Sequence, residues 1–94
     1  MMLTPDEKEL LEAAVDKWGK ASQEDMVTEE CAELIVALNH ARRGRAGINA
    51  VVEEGVDVEL ALEQLKIMTD CPNLWAQIRS YKLKRLKEKL ERQS

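Results

Sequence analysis

Apolar positions recur along the chain at helical spacing. Leu10, Leu11, Ala14, Val15 and Trp18 follow Thr4-Pro5-Asp6-Glu7 in such a pattern. Thr4 reads as an N-cap, Pro5 as the first helical position and Glu7 as the closing residue of a capping box. Gly19 offers a stop. A second helix is predicted from about Gln23 to Arg43, capped by Ser22, with Val27, Cys31, Leu34, Ile35 and Leu38 as its stripe. Two glycines turn Arg42-Arg43-Gly44-Arg45-Ala46-Gly47 into a loop. Asn49 is expected to cap a third helix from about Ala50 to Thr69. Pro72 ends that helix, and Asn73 is expected to cap a fourth, reaching about Arg92, with Leu74, Ile78, Tyr81, Leu86 and Leu90 inward.

The third helix is apolar on two sides. Val51, Val58, Leu62 and Leu65 line one; Val56, Leu60 and Ile67 line the other. A helix with two apolar faces is buried on both. In a chain of 94 residues, this asks for a partner subunit as well as intrachain neighbours.

Composition agrees. Residues 1–94 form one domain, 45% hydrophobic, with no Phe and only Trp18, Trp75 and Tyr81 as aromatics. The core must be aliphatic. The expectation is an all-α, four-helix bundle-like fold completed by homo-oligomerisation, at least a dimer. Cys31 and Cys71 form neither a zinc spacing nor a redox pair, and no disulfide framework is implied. Asp6, Glu7, Lys8 and Glu9 stand where a signal peptide would need an apolar run, and no apolar stretch approaches the roughly 20 residues of a membrane span. A cytoplasmic protein without membrane contact is expected.

The net charge of −4 argues against general nucleic-acid binding, but its distribution says more. Glu24 to Glu33 holds five acids and no base; Glu53 to Lys66 holds five acids against Lys66 alone. Arg79 to Arg92 reverses the sign, with seven bases against Glu88 and Glu91. Two acidic helices and one basic helix emerge.

Within the acidic helices, Glu30 and Glu33 lie three apart, as do Glu54 and Asp57, so each pair projects side by side. Met26, Glu30, Glu33 and Ala37 share one face; Glu54, Asp57, Ala61 and Met68 share another. Neither row holds a base, and both contain apolar or small residues. These acids therefore read as facing inward. Four such carboxylates are costly without counter-charge. A hard divalent cation such as Mg2+, which takes oxygen ligands, would offset that cost. Acids on facing helices of a bundle are one way to hold it.

Glu29-Glu30-Cys31-Ala32-Glu33, then twenty residues, then Glu54-Gly55-Val56-Asp57 resembles the EExxE…ExxD signature of the MazG-like all-α nucleotide pyrophosphohydrolases, in particular their short phage and bacterial branch. Trp18-Gly19 and Gln23 before the first motif, Glu59 to Leu65 after the second, and Lys84-Arg85-Leu86 extend the likeness over Trp18 to Leu90. Gly55 departs from it, since the family commonly has an apolar residue there. It serves either close helix packing or marks a weakened member. The resemblance implies hydrolysis of a nucleoside triphosphate to the monophosphate and pyrophosphate. It implies Glu30, Glu33, Glu54 and Asp57 as Mg2+ ligands. Glu29, Glu30 and Glu33 are then the catalytic acids, with Glu29 as an extra ligand or a water-orienting base.

Further candidates each carry a plainer alternative. Arg42, Arg43 and Arg45 match phosphate geometry, or serve a helix C-terminus. Lys17 and Lys20 have similar claims. Trp18 stacks on a base, or belongs to the core; Gln23 contacts base or ribose. His40 reads as a solvated helix residue. Two other readings stay open: a non-catalytic helical interaction module whose acids are surface charge, and a degenerate member that binds nucleotide or metal without turnover.

Overall fold

A computed structural model describes residues 2–93, and every element in it is helical: α1 (Pro5–Trp18), α2 (Lys20–Arg42), α3 (Ile48–Thr69) and α4 (Pro72–Gln93). The capping box forms as the sequence predicts. The Thr4 N–H donates to Glu7 Oε1 at 2.8 Å, and the Glu7 N–H donates to Thr4 Oγ1 at 3.2 Å. The bonds to Thr4 hold the Glu7 carboxyl below its ordinary pKa.

The other starts fall earlier than expected. Gly19, at φ 86° and ψ 158°, both ends α1 and caps α2. Glycine adopts this conformation without a Cβ penalty. Lys20 and Ala21 are good helix formers, so nothing keeps the chain open as far as Ser22. Ser22 therefore lies inside α2. Gly47, in extended backbone, caps α3, which leaves Asn49 inside its first turn. Pro72 opens α4, because a first helical residue needs no N–H, and Asn73 follows it inside the helix. Between α3 and α4, Asp70 takes the left-handed conformation (φ 48°), which a short polar side chain tolerates.

α2 and α3 form an antiparallel pair, and α1 packs across both. The buried residues are few: Val15, Ala37, Ala61 and Met68, with Gln23, Glu63 and Gln64. No helix among the described residues is long and apolar enough to cross a membrane.

α4 does not join the packing. Leu74, Ile78, Tyr81, Leu86 and Leu90, expected inward, are all exposed. From Pro72 to Gln93 only Trp75 is half-buried. A corner explains the direction. Trp75 Nε1 donates to Thr69 Oγ1 at 2.9 Å, and Lys66 Nζ lies 5.7 Å above the Trp75 ring while pairing with buried Glu63 at 2.8 Å. These contacts pin the start of α4 to the end of α3 and aim its remainder away from the bundle. The radius of gyration is 16.2 Å, against about 12 Å for a compact chain of this length.

Candidate metal centre between α2 and α3

On α2, Gln23, Met26, Glu30, Glu33 and Ala37 step by three and four residues; on α3, Ala50, Glu54, Asp57, Ala61, Gln64 and Met68 do the same. That alternation is the seam of two helices packed like a coiled coil. Across it Glu30 faces Asp57, and Glu54 faces Glu33. The same antiparallel register sets Met26 opposite Ala61 and Gln23 opposite Gln64 on one side. On the other it sets Ala37 opposite Ala50. Four carboxylates thus occupy two neighbouring layers of a seam that is otherwise apolar or amide.

One oxygen from each of Glu30, Glu33, Glu54 and Asp57 lies within 4.8 Å of the other three. Glu30 and Glu54 are half-buried; Glu33 and Asp57 reach solvent. Glu30 Oε2 and Glu54 Oε2 are buried without a hydrogen-bond partner. Burial pushes the Glu30 carboxyl above its ordinary pKa, and the charges of Glu33, Asp57 and Glu54 add to the rise. Glu54 is raised in the same way, by burial first and then by Glu33, Asp57 and Glu53. No base enters either balance. The arrangement is an oxygen-only donor set, negatively charged and with two orphaned atoms, which suits a hard divalent cation.

A cavity of about 370 Å³ adjoins the acids. Glu33 and Glu54 line it, together with Val36, His40 and small side chains that include Ala37 and Ala50. His40 is exposed, as expected of a solvated helix residue, and it also lines this cavity. Its distance of seven residues from Glu33, two helical turns, was the signal for this.

The remaining candidates are scattered. Glu29 is exposed and outside the four-carboxylate group. Gln23 is buried to 3% exposure, with Oε1 unpartnered, two layers from the acids. Trp18 is 58% exposed beneath Lys17 Nζ at 5.6 Å, so it is not a core residue. Lys20 is exposed at the start of α2. Arg42, Arg43 and Arg45 are exposed around the α2–α3 turn, and none lines the cavity. Gly55 has open space where a Cβ would stand, so within this chain it serves no close helix packing.

No protein-family model, curated protein or solved structure matches the chain.

Proposed function

We propose that the chain is a magnesium-dependent nucleoside triphosphate pyrophosphohydrolase of the MazG-like type, working as a homo-oligomer. It would convert NTP or dNTP and water to the monophosphate and pyrophosphate. The observation that carries this reading is the meeting of Glu30, Glu33, Glu54 and Asp57 across one helix seam with no base among them. The EExxE…ExxD spacing in the sequence supports it.

Glu30, Glu33, Glu54 and Asp57 would hold Mg2+, which neutralises phosphate charge and makes bound water more acidic. Water adds to the α-phosphorus as the bond to the α–β bridging oxygen breaks, and pyrophosphate leaves with that electron pair. A carboxylate not fully engaged by the cation, or Glu29, would take the water's proton. Arg42 and Arg45 at the loop, Lys20 and Trp18 are the proposed substrate contacts; Gln23, at 3% exposure, is too buried to be one.

The test is pyrophosphate release from a panel of ordinary and modified triphosphates, with Mg2+ and then with EDTA. Release that needs Mg2+ and disappears in Glu33→Gln and Asp57→Asn supports the reading. Mg2+-dependent release that survives both substitutions would remove the site from these residues.

A further inference from the structure

The bases of α4 are not spread evenly around the helix. Lys82, Arg85, Lys89 and Arg92 step by three, four and three residues, so they stand in one row. The row is about 15 Å long, at 1.5 Å per residue. No acid belongs to it, all four bases are exposed, and none is in an ion pair among the described residues. With Tyr81 they line an open groove of about 540 Å³, where Arg85 lies over the Tyr81 ring at 5.7 Å. Glu88 borders the groove without pairing with any of them. Like charges at these spacings destabilise a helix, and this one acidic neighbour leaves the repulsion unbalanced.

The whole-chain charge of −4 hides the asymmetry. Arg79 to Arg92 carries five net positive charges, and the rest of the chain nine net negative. The Thr69–Trp75 corner turns α4 away from that acidic bundle, so a polyanion can reach the row without meeting the acids.

We infer that this row is a binding site for the sugar–phosphate backbone of a nucleic acid. Evenly spaced cations along a line match a polymer with evenly spaced charges, whereas a free nucleotide needs bases converging on one pocket. Two of the four are arginines, whose guanidinium groups match phosphate oxygens two at a time. Tyr81, 59% exposed, adds a ring on which a base can stack. An acidic protein surface offers neither phosphates nor bases.

The apolar side of α4 is a different surface: Leu83, Leu86 and Leu90 lie roughly a third of a turn from the row. A lipid surface that buried those leucines would hold Arg85, Arg92 and Tyr81 away from its headgroups. None of the row belongs to the acidic seam, so the binding is independent of the hydrolase reading.

Fluorescence anisotropy of short labelled oligonucleotides, single-stranded and duplex, with the full chain tests it, in EDTA so that no metal-dependent turnover intervenes. Binding should be strongest in low salt, with log K falling against log salt at a slope of about −3 to −4 for four phosphate contacts. Arg85→Gln and Lys89→Gln should each weaken binding about tenfold in low salt and reduce that slope by about 1. Lys87→Gln removes the same charge from the opposite side of α4 and should change neither. All three side chains are exposed, so helical circular dichroism should be retained; if a row variant loses it, Arg92→Gln takes its place. No binding of either nucleic acid in low salt overturns the inference. So does a loss in Lys87→Gln equal to that in Arg85→Gln, which would mean diffuse attraction to a positive helix. Sedimentation of the chain with phosphatidylserine vesicles, without any oligonucleotide binding, would assign α4 to a lipid surface instead.

Discussion

Glu54 meets Glu33 across the α2–α3 seam, with Glu54 Oε2 buried and no lysine or arginine between them. Together with Glu30 and Asp57 one layer away, the pair concentrates negative charge where helix packing normally puts leucine. Such a seam weakens the fold unless something positive occupies it, and that has consequences for stability as well as for catalysis.

Divalent cations should stabilise the chain. A ligand present at a hundred times its dissociation constant adds about 2.7 kcal/mol, and about 1 kcal/mol moves the Tm of a domain this size by roughly 4–8 °C. Melting curves followed by circular dichroism should therefore shift upward by several degrees or more with Mg2+ or Mn2+ and return with EDTA. A shift reproduced by NaCl at the same ionic strength would mean that the acids bind no specific ion.

The pH dependence follows from the raised carboxyls. Glu30 and Glu54 sit above their ordinary values, so the folded chain keeps protons that the unfolded chain has already lost. The stability they contribute is full below the unfolded carboxylate value and is lost as pH rises through the folded one. In EDTA, Tm should fall as pH rises across that window. With saturating Mg2+ the fall should vanish, because cations take the place of protons. A metal-free Tm that rises across the window would contradict the geometry of the seam.

Replacing one acid by its amide separates electrostatics from chemistry. Glu54→Gln removes repulsion at a half-buried site, so Tm in EDTA should rise above that of the wild type. The same variant should lose most of the Mg2+ shift, and its pyrophosphate release should drop about 100-fold or more, given that even outer partners of metal sites are worth 10–100-fold. Equal Tm values in EDTA, with the Mg2+ shift intact, would place Glu54 outside the site.

Gly55 offers a separate measurement. A Cβ there meets nothing within 4 Å in the single chain, and alanine is favoured over mid-helix glycine by about 1 kcal/mol. Gly55→Ala should therefore raise Tm by roughly 4–8 °C. A lower Tm would reveal a close neighbour supplied by another copy.

Much of the fold was legible in the sequence because it depends on local chemistry. Thr4, Pro5 and Glu7 satisfy the backbone groups of α1 within a single turn, so their pattern reads directly as a cap. The acid pairs were legible for a similar reason. Their spacing of three, the neighbouring Met26, Ala37, Ala61 and Met68, and the lack of local bases all lie within one helix length. Ser22, Asn49 and Asn73 misled as caps because Gly19, Gly47 and Pro72 were better placed to start the helices a few residues earlier.

The sequence by itself determined four helices, the glycine and proline points between them, and one acidic face on each of α2 and α3. Only the tertiary structure decided that these faces meet in register, that His40 borders their cavity, and that α4 stands off with its apolar side uncovered. The physical reason is range. Capping and periodicity act within a turn or two, whereas register and helix direction depend on contacts such as Glu33 with Glu54, and on the way the Thr69–Trp75 corner turns the chain.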